Sequence, residues 1–410
     1  MSAQGMECVV HGALAALLRV MRVVGMIPVR LVPLSDAFVV RYSFAQDVIA
    51  RFFGICFNLI IMTMETHYLI PKVLSNNTQL HKLALFLSIF IAVILRSTIL
   101  TAAVFNGRQR TEQLCKNLNE IEKLNIEGIH DIAVVKVEKT RFMFFLILLV
   151  SGPMLKVIEI ILVGVDTTKE IDYLSLVRKI SYQFGILLIS TLEGQFVFTI
   201  LSVHTALQAL NRRLGKLLID LKKNKESSDE TSSAPRTLRK LATSYSTLCD
   251  LMKTLDKENG FMILVAFILL LIYAIQSIFF VIVFWDLNTL TTFAFTENES
   301  EKATLNRILL CFQCVHIVAK FMFLLEPCQW TYNEMEVTRL FVTRLTHYAP
   351  TRGPLGNELE KFYRLVFTNI PSYSPLQLFT LKRSFILEIS GTLITWMLIV
   401  LRNNRPKGDM

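Results

Sequence analysis

The stretch Leu378–Asn403 reads LFTLKRSFILEISGTLITWMLIVLRN and identifies the broad class of this protein. A basic step, Lys382-Arg383, is followed by a mainly apolar run that ends at Arg402. The length of this run is close to the roughly 20 residues that an α-helix needs to cross the hydrocarbon core of a bilayer. We therefore predict a membrane-spanning helix at 384–402.

The composition of the rest of the chain agrees with a membrane protein. Of its 410 residues, 53% are hydrophobic and only 19% are charged, whereas a soluble domain carries about 25% charge. We predict an all-α membrane protein with seven transmembrane helices. The predicted spans are 48–68, 83–104, 142–165, 184–203, 261–284, 305–325 and 385–401.

The distribution of Lys and Arg predicts the topology. Of the 43 basic residues, 29 lie in the N-terminal segment and in the second-to-third, fourth-to-fifth and sixth-to-seventh connections, and 9 lie in the other loops and the tail. Cytoplasmic loops carry the excess of Lys and Arg, so we predict a cytoplasmic N-terminus and an extracellular C-terminus. These loops also account for the net charge of +10, and we expect no nucleic-acid partner. The sequons at Asn76 and Asn298 both fall in the predicted outer loops and are glycosylation candidates.

The predicted organisation follows from these spans. The segment 1–47 is cytoplasmic, and its apolar piece 13–27, broken by Arg19 and Arg22, is typical of an amphipathic segment. The range 48–325 holds the first six helices and a long cytoplasmic connection, 204–260, in which we expect helices at 207–225 and 238–258 and a mobile stretch at 226–235. A cytoplasmic segment at 326–383, the seventh helix at 384–402 and an extracellular tail at 403–410 complete the chain. Helical spacing predicts an amphipathic helix through Leu355, Leu359, Phe362, Leu365 and Val366.

Several other classes fit the sequence poorly. Rhodopsin-like receptors have the opposite topology, and their Asp-Arg-Tyr and Asn-Pro-x-x-Tyr motifs do not occur here, so we expect no G protein. We find no glycine-rich phosphate loop, metal-ligand cluster or nucleophile elbow, and we expect no enzyme, cofactor or metal. A transporter remains the main rival. It predicts internal symmetry, but the Gly152-Pro153 break has no counterpart in the second half.

The end of the seventh helix resembles a family signature. Insect gustatory receptors end this helix with Thr-Tyr, five apolar residues and Gln-Phe. Thr395 and the five apolar residues match, while Trp396 replaces Tyr and Arg402-Asn403 replaces Gln-Phe. The stretches 18–28 (LRVMRVVGMIP) and 248–260 (LCDLMKTLDKENG) are similar to two further parts of this family. Insect odorant receptors share the topology and remain an alternative, although the end motif favours the gustatory branch.

This resemblance implies a subunit of a tetrameric, ligand-gated cation channel in the plasma membrane of a sensory neuron. The ligand would be a soluble small-molecule tastant, and the tetramer would contain this chain alone or other gustatory receptor subunits, surrounded by membrane lipid. The seventh helices would line one central pore, with Thr395, Leu398 and Arg402 as pore-lining or gate candidates. The segment 326–383 would belong to a cytoplasmic anchor. Neither the sequence nor the resemblance identifies the ligand-binding residues.

Polar and charged residues inside the spans have alternative roles. Glu193, Lys320 and Arg96 either pair with charges on other helices or contact a polar ligand, and Lys156 and Glu159 are spaced to pair on one helical face. Thr395 either bonds to its own helix or lines a pore. Arg402 either extends to the headgroups, or forms a ring of four cations at the outer mouth. A third explanation is that 402–410 is a misread exon end.

Overall fold

The computed structural model shows a mainly helical chain with a small antiparallel sheet near the N-terminus. Three helices of 52, 58 and 52 residues form its centre. The structure describes residues 7–10, 12–23, 27–34, 38–49, 51–52, 54–56, 58–60, 63, 80–124, 140–141, 143–148, 151–152, 154, 173–224, 234–291, 297–348 and 353–404.

The sheet corrects the prediction that the protein is all-α. Three strands pair in the order β1-β3-β2, with Val9 opposite Val39 and Leu31 opposite Val40. β2 and β3 are rich in Val, whose branched side chain suits a half-buried pleated surface. The elements of this region are β1 (Cys8–Val10), α1 (Gly12–Val23), β2 (Val29–Pro33) and β3 (Phe38–Tyr42).

Helix α1 corresponds to the apolar piece that the sequence predicts as an amphipathic segment. Its buried residues are Leu14, Leu17, Leu18 and Met21, which recur at the spacing of one helical face. This face packs against the long helix α4 (Tyr173–Asn224). The segment is therefore part of the folded core.

Two helices follow the N-terminal unit. α2 (Leu80–Phe105) contains the whole predicted second span, 83–104, and α3 (Gly107–Lys123) begins two residues later. α3 buries Leu114, Cys115 and Ile121. Leu114 and Ile121 are seven residues apart, about two turns, so they lie on one face of α3, and Cys115 lies next to Leu114 at the edge of that face.

The three central helices are much longer than a membrane span. They are α4 (Tyr173–Asn224), α5 (Ala234–Thr291) and α6 (Glu297–Tyr348), which continues through Pro327. At 1.5 Å per residue, a helix of this size is roughly 80 Å long, more than twice the ~30 Å hydrocarbon core. The helices predicted at 207–225 and 238–258 thus belong to the same continuous helices as the predicted fourth and fifth spans. The stretch predicted to be mobile, 226–235, lies almost entirely outside the described residues.

Within the described residues, three helices are long and apolar enough to cross a membrane, namely Gly185–Lys223, Ala234–Ile278 and Ile308–Tyr348. Val93–Ala103 and Ser384–Thr395 are shorter apolar helices, in the predicted second and seventh spans. Much of the predicted first and third spans lies outside the described residues. The seven-span arrangement therefore stays a prediction.

The C-terminal part contains two more helices joined by a turn. They are α7 (Pro354–Thr368), the 3₁₀ turn Pro375–Gln377 and α8 (Ser384–Asn404). α7 buries Leu355, Leu359, Phe362 and Val366, which confirms the predicted amphipathic helix.

The four segments predicted to be cytoplasmic lie together. The Asn119 side chain of α3 donates to the carbonyl of Glu7 at 3.0 Å, beside β1. Asn117, also of α3, donates to the Glu258 carboxylate of α5 at 3.4 Å. Lys253 of α5 in turn donates to Asn369, just after α7, at 2.6 Å. One end of the molecule therefore collects the N-terminal unit and the three basic connections.

Candidate functional site

Helix α8 has one packed face and one exposed face. The packed face consists of Phe385, Ile386, Ile389 and Leu393, which contact the buried core. We call the opposite side the open face, and it consists of Leu387, Gly391, Ile394, Thr395 and Leu398.

The open face is strongly exposed in the single chain. Leu387 is 76% exposed, Ile394 57% and Leu398 59%. A side chain added at Gly391 would meet nothing within 4 Å. Arg402 lies four residues after Leu398, so helical spacing places its position on the same side. A continuous apolar stripe of this kind faces lipid or another protein chain.

Thr395 is the polar residue of the open face. Its hydroxyl donates to the carbonyl of Gly391 at 2.9 Å, and the Thr392 hydroxyl donates to that of Glu388 at 3.0 Å. These bonds satisfy the hydroxyl proton within the helix. The oxygen of Thr395 keeps free acceptor capacity on the exposed surface.

The first turn of α8 is held by aromatic packing. The rings of Phe379 and Phe385 stack with centroids 4.4 Å apart. Phe267 of α5 contacts both rings, at 5.6 and 5.9 Å. This cluster fixes the base of α8 against α5.

An ion pair fixes the same base to α6. Arg383 Nη2 lies 2.7 Å from Glu326 Oε2, and the backbone N–H of Arg383 donates to Gln329 at 3.2 Å. The Glu326 side chain is only 15% exposed. The basic step before the apolar run is therefore also a tether between α8 and α6.

The chain that leads into α8, residues 369–383, is clamped to both α5 and α6. We call it the base linker. The N–H of Ser374 donates to Asp256 of α5 at 2.7 Å, and the N–H of Tyr373 donates to the Tyr332 hydroxyl of α6 at 2.6 Å. Burial raises the pKa of Asp256, and the bond from Ser374 partly offsets this rise. The linker thus connects the start of α8 to two of the central helices.

The base linker contains an unusual turn. Leu376 and Gln377 have φ values of 50° and 61°, in the left-handed region that costs a non-glycine residue about 1 kcal/mol or more. A side chain at Gly260 of α5 would meet the backbone nitrogen of Leu376 at 3.2 Å. Glycine at this position therefore allows the turn to lie close against α5.

The sequence analysis did not identify Asp256, Tyr332 or Gly260 as parts of this site. Asp256 does carry a signal, since it lies one turn after the buried Met252 and follows the buried Leu255. A carboxylate next to an apolar stripe requires a hydrogen-bond partner. The partner comes from a segment 118 residues away, which spacing along α5 does not reveal.

The charges predicted to pair inside the spans are brought together. Lys320 Nζ of α6 lies 3.7 Å from Glu193 Oε2 of α4 and also donates to the Ser190 hydroxyl. Both side chains are at most 10% exposed. The predicted pairing between helices is confirmed. Arg96 is buried in α2, while Lys156 and Glu159 lie outside the described residues.

His316 and Lys320 lie one turn apart on α6, but their side chains contact different segments of the chain. The Nδ1 atom of His316 lies 3.0 Å from the Ser151 hydroxyl, and a side chain at Gly152 would meet its Nε2 at 3.0 Å. Gly152, which precedes the proline of the predicted third span, thus allows this close approach. Across the described part of the chain, no group of three His, Cys, Asp or Glu residues is arranged to hold a metal ion.

The remaining predicted residues are located as follows. Arg402 and Asn403 lie in the last turns of α8, but their side chains and that of Trp396 are outside the described set. Asn298 is in the first turn of α6, and Asn76 falls outside the described residues.

Comparisons with known proteins agree on the fold. A structure of the insect olfactory receptor OR5 from Machilis hrabei matches with a TM-score of 0.63 and 12% sequence identity, covering 95% of this chain and 97% of that one. A search of curated proteins found no match. The family model for the 7tm chemosensory receptor matches residues 14–401. Since this match spans nearly the whole sequence, the chain belongs to the 7tm chemosensory receptor family.

Proposed function

We propose that this protein is a gustatory receptor that acts as a subunit of a tetrameric, ligand-gated cation channel. The observation that carries the proposal is the open face of α8, an apolar stripe on the last helix that the single chain does not cover. In a symmetric tetramer, four copies of this helix would surround one axis. The open face would then contact neighbouring subunits and line the pore.

The chemistry of the open face suits a gate. Ile394 and Leu398 would form apolar rings, and a narrow hydrophobic constriction stops ion flow by losing its water. Thr395 would add a ring of hydroxyl oxygens that can accept hydrogen bonds from the hydration shell of a cation. Arg402, one to two turns further on, would lie at the outer mouth.

The proposed topology keeps the sequence boundaries. The N-terminal segment 1–47, the 204–260 connection and the 326–383 anchor would be cytoplasmic, and the tail 403–410 would be extracellular. The joint packing of the N-terminal unit, α3, α5 and the base linker supports a common side for these segments. The Lys and Arg bias supports the cytoplasm as that side.

Ligand binding would act on α8 through the central helices. A tastant that binds the open state more tightly shifts the population toward it, and only by the difference between its two affinities. The base linker offers a route, because Tyr332 of α6 and Asp256 of α5 bond to Tyr373 and Ser374 in the segment that leads into α8.

Arg402 would weaken conduction by a homotetramer. At roughly 10 Å in water, each arginine repels a monovalent cation by about 0.4 kcal/mol, so four arginines contribute about 1.7 kcal/mol. Cation occupancy at the mouth would fall roughly fifteenfold before salt reduces the effect. The protein would then conduct poorly alone, or would work beside subunits with glutamine at this position.

The test is whole-cell current from cells that express this chain, with soluble tastants applied outside. Labelling of a C-terminal tag on intact cells first establishes surface expression and topology. We expect a tastant-gated cation current, carried by the chain alone or after Arg402→Gln or addition of a second receptor subunit. Labelling only after permeabilisation contradicts the topology. Surface protein that passes no current under any of these conditions contradicts the channel.

An odorant receptor is the second candidate, because a solved structure that this chain resembles is an olfactory receptor. The two candidates differ in the ligand that opens the channel. Volatile compounds applied to the same cells would have to activate the current while soluble tastants fail. Activation by soluble tastants alone favours the gustatory assignment.

A further inference from the structure

Two cysteines from distant parts of the sequence meet beside the N-terminal sheet. Cys8 lies in β1 and Cys115 lies in α3, and their Sγ atoms are 2.6 Å apart. This separation exceeds the roughly 2.05 Å length of a disulfide bond by only about half an ångström. Both residues are at most 2% exposed. The two thiols are therefore in direct contact in the interior.

The backbone around both thiols is held from two sides. Cys8 pairs with Val40 across the sheet, and the neighbouring carbonyl of Glu7 accepts a hydrogen bond from Asn119 of α3. The Glu7 carboxylate also pairs with Arg41 of β3 at 2.9 Å. Asn119 lies one turn after Cys115 on the same helix. The contacts that dock β1 on α3 thus also position the two sulfur atoms.

The other buried cysteines have different surroundings. Cys249 contacts the carbonyl of Asn369 at 4.0 Å, and Cys328 donates to the carbonyl of Leu324 at 3.6 Å. Both partners are backbone oxygens, which cannot form a disulfide. Cys249 and Cys328 are therefore suitable controls, because they are buried like Cys8 and Cys115 but contact backbone oxygens instead of a second thiol.

We propose that Cys8 and Cys115 form a reversible disulfide when a peroxide oxidises the protein. One thiol loses its proton, and the thiolate attacks an oxygen of hydrogen peroxide. The O–O bond breaks, the cysteine becomes a sulfenic acid, and the departing hydroxide takes up a proton as water. The second thiol then attacks the sulfenic sulfur and displaces a second water molecule. In sum, two thiols and one peroxide give one disulfide and two waters, and each sulfur loses one electron.

The disulfide would join β1 covalently to α3, which follows α2 after a single residue. In the reduced state only non-covalent contacts hold this three-residue strand. The contact with Cys115 and burial both raise the pKa of Cys8, so little thiolate is present at neutral pH. Oxidation therefore proceeds through transient opening of β1 and is slow, and reduction of the closed disulfide is slow for the same reason.

The experiment uses the full chain, purified in detergent and treated with hydrogen peroxide. Free thiols are alkylated, the protein is digested without reductant, and linked peptides are identified by mass spectrometry. We expect one dominant linked pair, Cys8–Cys115, which disappears after treatment with a reductant. Oxidation of the chain unfolded in denaturant should instead spread the links over the seven cysteines.

Two variants sharpen the result. Cys8→Ser should abolish the linked pair and leave Cys115 free for alkylation, while Cys249→Ser should form the pair as the wild type does. The wild-type measurement stands alone if a variant fails to fold. Folded wild-type protein in which both cysteines stay reduced, or pair with other cysteines, would overturn the proposal. The outcome does not depend on channel activity.

Discussion

The junction between α4 and α6 and the open face of α8 differ in whether their side chains have partners within the chain. At the junction, the Asn211 amide donates to both the carbonyl and the carboxylate of Glu334 at 2.8 Å, and accepts from Thr338 at 2.7 Å. Gln208 adds a fourth bond, to the Glu334 carboxylate. On the open face, by comparison, apolar side chains project from the molecule.

This difference separates two tasks of one chain. The α4–α6 junction is satisfied within the subunit, since the buried Asn211 amide and the Glu334 carboxylate find their hydrogen-bond partners on α4 and α6 themselves. Within the described part of the chain, the open face of α8 has no such partners on another helix, and the helix that carries it is anchored at its base by the aromatic cluster and the Arg383–Glu326 pair. A helix that is anchored at its base and keeps one face uncovered is suited to assembly and movement.

The largest effect is expected at the junction. Asn211→Ala removes a buried donor and acceptor and breaks the two bonds to Glu334 and the one from Thr338, which should cost about 3 kcal/mol of stability. The Thr338 hydroxyl keeps its bond to the Glu334 carbonyl, and the Glu334 carboxylate keeps the bond from Gln208. The melting temperature of the detergent-solubilised chain should fall clearly. Leu398→Ala on the open face, which removes exposed atoms, is the control and should leave it nearly unchanged. Equal losses for the two variants would remove the contrast.

The next effect concerns the outer end of the open face. Arg402→Gln should raise the cation current of a homotetramer, by up to about fifteenfold before salt screening. Currents are compared at matched surface expression and at two ionic strengths, because the gain should shrink as salt rises. Arg344→Gln removes an exposed arginine after the junction and should leave conduction unchanged. An Arg402→Gln current no larger than that of the wild type contradicts the cation ring.

A smaller effect is expected where the base linker meets α5. Asp256→Ala removes the acceptor for the Ser374 N–H and should cost about 1–2 kcal/mol. Asp256→Asn keeps an acceptor oxygen and should be better tolerated. Thermal unfolding of the two variants, measured side by side, tests this order. If both variants unfold at the same temperature, the bond from Ser374 contributes little.

The pH dependence of the same residue has a definite sign. Because burial raises the folded-state pKa of Asp256, the folded chain retains a proton that the unfolded chain releases. The contribution of this pKa shift to the free energy of unfolding is therefore at its maximum below the ordinary pKa of aspartate. It is lost as the pH rises from that value through the raised pKa. In Asp256→Asn this part of the pH dependence should disappear. A steeper fall of stability with pH in the variant would contradict the assignment.

The smallest effect is expected in the unusual turn. Leu376→Gly should stabilise the protein by about 0.5–1 kcal/mol, because glycine adopts a positive φ without strain. Leu378 is also well exposed but has a φ of −83°. Leu378→Gly is therefore the control and should destabilise by a similar amount. Changes of the same sign in both variants would mean that the turn is not strained.

The sequence predicted what depends on local pattern. Hydrophobic periodicity located the buried face of α7, and composition identified the membrane class. An isolated charge in a bilayer is unfavourable, which predicts partners for Glu193 and Lys320. The structure shows that they pair with each other. The N-terminal sheet was missed because strands of three and five residues carry little periodic signal, and their pairing is non-local. The sequence predicts two of the long helices as two shorter ones each, because the residues change from apolar to polar along them. The helix itself continues through that change.

The sequence alone therefore determined that this is a helical membrane protein whose last apolar helix follows a basic step. Local spacing and composition carry that information. The tertiary structure decided which side of α8 stays uncovered, which residues of α5 and α6 hold its base, and which two of the seven cysteines meet. These features depend on contacts between residues more than a hundred positions apart or on separate helices. Such contacts exist only after the whole bundle has packed.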